Sequence, residues 1–206
     1  MRTRSKITLR AALAIAVITT GSPSASLAQG SDMPPVVRRN LPGPGHATLT
    51  SLVGTWRVEH SIYIVLGTAD KPAVSTDIIC RREWVSDGRY LRDVTEGTIA
   101  GQPYYRQGLI GYSNMDQRYE WVTVDMNTMM MIYRGAPGSG PQTPITVSGT
   151  FTDPGWLGED NVGKEVPMRT TIRIEGNDRH VFEIYFMPPG RPEILVDRKV
   201  YTRVRS

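Results

Sequence analysis

The chain is expected to fold as an all-β protein, a single antiparallel up-and-down β-barrel of about ten strands. Three observations carry this expectation. From Gly54 onward, apolar and polar residues alternate with period two over segment after segment. Short turns rich in Gly, Asn, Asp and Pro separate those segments. No stretch shows a convincing amphipathic helical period. A sheet of so many strands tends to curl or split, and closing it removes the edges that would invite aggregation.

The first 28 residues read as an export signal. Arg2, Arg4, Lys6 and Arg10 form a positive leader, and Ala11 to Thr19 is apolar but too short to span a bilayer. Ser26-Leu27-Ala28 places small residues before a cleavage point near Ala28. This predicts a periplasmic or secreted protein with no stable membrane insertion after cleavage. Residues 29–48 are rich in Pro and Gly and read as a linker or surface arm. Ala47 to Leu52 is a candidate helical turn plugging one end. Residues 49–206 form the barrel domain.

The first strand alternates through Trp56, Val58, His60, Ile62, Ile64 and Leu66. The second spans about Val74 to Val85 and turns at Ser86-Asp87-Gly88, where Gly supplies a positive φ. The next four cover Arg89 to Ile99, Tyr104 to Tyr112, Arg118 to Asp125 and Met129 to Arg134. After a Gly/Pro loop the seventh covers Ile145 to Phe151. A second long loop, Asp153 to Val166, leads to Met168 to Glu175, Arg179 to Met187 and Glu193 to Val204. No internal repeat suggests a propeller. An immunoglobulin-like sandwich is the alternative; the single cysteine and the lack of long crossovers weigh against it.

Composition excludes some functions. The chain has 24 Lys and Arg against 20 Asp and Glu. The leader holds four of the basic residues and no acidic one, so the remainder is formally neutral. The basic balance belongs to the leader and argues for no nucleic-acid partner. The lone Cys80 cannot form an intramolecular disulfide. Beside Ile78 and Ile79 it reads as a small hydrophobe in a sheet.

Several short motifs, in order, resemble a known group. They are Leu52-Val53-Gly54-Thr55-Trp56, Arg82-Glu83-Trp84, Gly88-Arg89-Tyr90-Leu91-Arg92, Gly101-Gln102-Pro103, Gly111-Tyr112, Gly163-Lys164-Glu165-Val166 and His180-Val181-Phe182-Glu183. Together they resemble the bacterial family called domain of unknown function 1579, grouped with the lipocalin-like, or calycin, barrels. The resemblance covers about Leu49 to Arg203. The chain looks several residues longer than the family around Pro154 to Val162. The resemblance implies a barrel with an internal cavity and no established activity.

The same resemblance suggests roles for Trp56 and Arg203. In lipocalin-like barrels an Arg near the end of the last strand often covers the first-strand Trp. Tyr201-Thr202-Arg203 also resembles the end of fatty-acid-binding proteins, where an Arg anchors a carboxylate. A guanidinium suits both roles, and closure is the preferred reading because unpaired buried charge is costly. Periodicity opposes both. It places Ile194, Val196, Val200 and Val204 inward together with Arg198, unless a bulge reverses the parity.

Other residues have chemical readings of their own. Met126, Met129, Met130 and Met131 are soft ligands suited to copper, but on a strand only Met129 and Met131 share a face. Adaptable packing around a cavity is the preferred reading. His60 and His180 fall on inward-facing positions, while His46 lies in the arm. A haem would need such a histidine, yet hydrogen-bonded core residues are the commoner case. No zinc spacing is present. Asp93 and Glu96 fall on opposite faces of a strand. Arg82, Glu83 and Arg92 are candidates for a polar network inside the barrel. No nucleophile elbow or phosphate loop occurs, so an enzyme has no residue-level support. Trp156 and Leu157, on a Gly-rich loop, suit either a lid at the mouth or burial on the outer wall.

The expected function is therefore binding of a small apolar or amphipathic molecule. The expected contacts are His60, Arg106, Met129, Met131, His180, Phe182, Arg198 and Arg203, with no resident cofactor. An enzyme using an Arg/Glu/His cluster and a barrel with a filled interior are the alternatives.

Overall fold

A computed structural model describes residues 33–205; the expected export leader and its expected cleavage point lie outside the described residues. Ten strands close into one barrel: β1 (Gly54–Ile62), β2 (Ala73–Val85), β3 (Tyr90–Ile99), β4 (Gln102–Ser113), β5 (Arg118–Asp125), β6 (Met131–Arg134), β7 (Ile145–Thr152), β8 (Glu165–Ile174), β9 (Arg179–Phe186) and β10 (Ile194–Arg203). Each strand pairs antiparallel with its sequence neighbour, and β10 pairs with β1 to close the sheet. The sandwich alternative is thereby excluded. The β6–β7 ladder is the thinnest, with a single paired register, Arg134 with Ser148.

Two differences from the sequence reading concern strand ends. β1 stops at Ile62 rather than running to Leu66. Val65 takes a positive φ of 65°, which breaks the extended conformation. β6 begins at Met131, so Met129 lies in the preceding bend and shares no strand face with Met131.

The arm carries two short helices, α1 (Pro35–Arg39) and α2 (Pro44–Leu49), followed by a 3-10 turn, Thr50–Leu52. Pro44 starts α2 three residues earlier than the reading from Ala47, because proline suits the first turn, where no N–H partner is needed. His46 is buried, and its Nδ1 accepts the Gly43 N–H at 3.1 Å, satisfying a free donor at the helix start. Gly45 sits against the Tyr112 ring, so close that any side chain there would strike it. The Tyr119 hydroxyl donates to the Gly45 carbonyl. Leu49 and Leu52 are fully buried and plug this end of the barrel.

Trp56 lies beneath the plug, and its Nε1–H donates to the Leu52 carbonyl at 2.9 Å. From there the interior is stacked in layers set by the β1–β10–β9 register. Val58, Tyr201 and His180 form one layer; His60, Lys199 and Phe182 the next; Ile62, Asp197 and Ile184 the one above. Among the described residues no helix is long and apolar enough to cross a membrane.

Candidate ligand-binding site

β10 decides what faces inward. Its register with β9 slips between Leu195 and Asp197, a bulge centred on Val196. An extra residue at a bulge reverses the alternation beyond it. Asp197, Lys199, Tyr201 and Arg203 therefore share the inward face, while Val196 also turns to the interior. Arg198 is displaced outward, half-exposed, with its Nε 3.4 Å from the Glu183 carboxylate. The expected inward position of Arg198 is thus corrected, and Arg198 lines no part of the interior cavity.

The cavity holds about 380 Å³. Its upper wall is apolar. Ile62, Ile64 and Leu66 line it from β1 and the loop beyond, Met168 from β8, and Ile184 and Phe186 from β9. Trp156, from the β7–β8 loop, lies nearly parallel to Phe186 with ring centres 6.0 Å apart. Asp153 fixes that loop. Its buried carboxylate accepts the backbone N–H groups of Gly155, Trp156 and Leu157 at 2.9, 2.7 and 3.1 Å. Leu157 packs half-buried against the core without lining the cavity.

The floor is polar. Asp197 accepts from His60 Nε2 at 2.7 Å and from Lys199 Nζ at 2.6 Å. Arg106 donates to Asp93 at 3.0 Å, and both side chains are buried. Burial disfavours a charged Asp197, but His60 and Lys199 override it and hold the carboxyl below its usual range. Burial lowers the proton affinity of His60, with Asp197 opposing. Burial also lowers that of Lys199; Asp197 opposes and nearby Arg106 adds to the effect. Burial pushes the Tyr133 hydroxyl, at the cavity edge, up to about 12, so it stays a donor. His60 Nδ1 and Arg106 Nε are buried without a partner among the described residues. In a dry interior such groups are costly unless something else satisfies them.

The family model described as a protein of unknown function (DUF1579) matches residues 41–203. The chain belongs to this family. No curated protein matches it. Among solved structures, the DUF1579 chain resembles Rv2717c from M. tuberculosis, with TM-score 0.53 and 17% identity over 79% of this chain and 99% of that one. It also matches the S-type phycobiliprotein lyase CPES from Guillardia theta, with TM-score 0.48 and 9% identity over 79% and 96% of the two chains. At such identities the likeness to Rv2717c concerns the lipocalin-like fold alone.

The DUF1579 barrel separates the remaining candidates by depth. His60, Arg106, Met131 and Trp156 line the cavity. Phe182 lies below it, with Lys199 Nζ 4.9 Å and the Arg106 guanidinium 5.4 Å from its ring centre. His180 lies deeper still, its ring 4.3 Å from Tyr201 and 4.4 Å from Trp56. Its Nε2 accepts from Arg82. Burial, with Arg82 and Arg203 nearby, keeps it neutral. Met129 packs half-buried against the core outside the cavity wall.

The network expected from Arg82, Glu83 and Arg92 divides between the faces. Arg82 is inside, while Glu83 pairs with Arg92 on the exposed surface. Adjacent residues of a strand point oppositely, which is the reason. Asp93 points inward and Glu96 outward to Arg81, as their spacing requires. Arg203 lies at the plugged end, remote from the cavity lining. Sequence reasoning missed Asp197, Lys199 and the Asp93–Arg106 pair. No local signal marked Asp197 and Lys199, because period two over the apolar set Ile194, Val196, Val200 and Val204 puts Asp197, Lys199, Tyr201 and Arg203 on the opposite face.

Proposed function

We propose that the barrel binds one small amphipathic molecule. Its apolar body lies against Ile64, Met168, Ile184, Phe186 and Trp156, and its polar head meets His60, Arg106 and Lys199. The observation that carries this reading is the polarised cavity: an apolar upper wall over a floor of hydrogen-bonding groups, where His60 Nδ1 and Arg106 Nε have no partner among the described residues. Its volume falls within the roughly 300–1,000 Å³ usual for small-molecule sites, which weighs against a filled interior. The leader sequence supports export, so the ligand is one met outside the cytoplasm.

Titration with 1-anilinonaphthalene-8-sulfonate, followed by displacement with decanol, tests the reading. Saturable one-site fluorescence enhancement, abolished when Ile184→Trp fills the cavity, is expected. Binding that does not saturate, or that survives Ile184→Trp unchanged, overturns it. Native mass spectrometry of protein from its own host would then identify the resident molecule.

A further inference from the structure

Lys199 is one of four lysines in the chain. Lys71 and Lys164 are exposed, whereas Lys199 is buried, about 2% exposed, and lines the cavity. A lysine in such a setting is unusual unless its charge is fully paired. Its one carboxylate partner among the described residues, Asp197, is shared with His60. Arg106 stands on the neighbouring side of the floor as a second cation. Of the two cations only the lysine can readily give up its proton. Desolvation and a neighbouring cation are the conditions that turn a lysine amine into a nucleophile.

We propose that Lys199 forms an imine with an apolar aldehyde taken into the cavity, so that the barrel holds such a molecule covalently and reversibly. This rests on the cavity reading above. The neutral amine's electron pair attacks the carbonyl carbon, the C=O π pair moves to oxygen, and one amine proton passes to that oxygen to give a neutral carbinolamine. The second amine proton then passes to the hydroxyl, the C–O bond breaks, water leaves, and the nitrogen's electron pair forms the C=N bond. Asp197, 2.6 Å from the nitrogen, is placed to accept each proton from the nitrogen and deliver it to the oxygen. The step consumes one aldehyde and releases one water, with no change of oxidation state. Once protonated, the imine keeps Asp197 as its counter-ion, and the apolar wall holds the tail.

The test uses decanal as the aldehyde, with sodium borohydride to reduce any imine to a stable secondary amine. Intact mass and peptide mapping then locate the label. A single adduct is expected, concentrated on Lys199 over Lys71 and Lys164 by about tenfold or more. Its rate should rise with pH as the amine is freed. Lys199→Met should abolish the adduct, whereas Lys71→Met and Lys164→Met should leave it unchanged. Lys199→Arg, which keeps a cation beside Asp197, should also abolish it if the Lys199→Met variant folds poorly. Equal label on the three lysines, or none on Lys199 in protein that binds decanol, overturns the imine. Failure of both decanal and decanol to enter overturns the cavity reading, and the imine with it.

Discussion

The Arg203 guanidinium lies 4.1 Å over the Trp56 ring. It also donates to the backbone carbonyls of Val53, Ser51 and Asn177 at 2.7, 2.9 and 2.7 Å. One side chain thereby ties the last strand to the plug and to the β8–β9 turn. Arg203→Ala should destabilise the barrel by about 2–4 kcal/mol, since charged hydrogen bonds and the cation–π contact are lost together. Arg203→Lys should recover only part of this, because an ammonium lacks the planar fork. Urea midpoints, with Trp emission as the probe, measure both.

Gly108 permits a close approach beneath the cavity floor. A Cβ there would stand 2.5 Å from Asp93 Oδ2 and 2.7 Å from Trp121 Nε1. Gly108→Ala should displace Asp93 from Arg106 and cost about 1–3 kcal/mol by overpacking. A larger loss of probe affinity than of stability would place the damage at the floor.

His180 is buried and neutral, with its proton affinity lowered chiefly by burial. The unfolded chain takes up a proton there near pH 6.5, while the folded chain does not. Stability is therefore complete above about pH 6.5 and falls as the pH drops below it, by about 1.4 kcal/mol per pH unit for this group. His60, shifted in the same direction, adds to the fall until it protonates in the folded state. Urea unfolding at pH 7 and pH 5 tests this. His180→Asn should flatten the slope by about one proton; an unchanged slope would contradict it.

Asp153 holds the Trp156 loop through three backbone donors. Asp153→Ala should raise amide exchange within residues 154–163 without unfolding the strands. If Trp156 governs access, probe release should also accelerate, as stopped-flow displacement would show.

Arg198 points away from the cavity toward Glu183. Arg198→Ala should leave probe affinity unchanged, while Arg106→Met should alter it at least severalfold, since a buried acid, Asp93, would lose its partner.

The sequence by itself determined the strand-and-turn order and the meander. Period-two alternation and glycine-bearing turns are local properties, so ten strands, their approximate bounds and the inward places of Trp56, His60, His180 and Phe182 could be read along the chain. Only the tertiary structure decided which groups meet. A single extra residue near Val196 turns Asp197 and Lys199 inward and Arg198 outward, and nothing in the local alternation specifies it. The Asp93–Arg106 and His60–Asp197 contacts join residues 13 and 137 positions apart. Their meeting depends on register across several strands, which forms only when the sheet closes on itself.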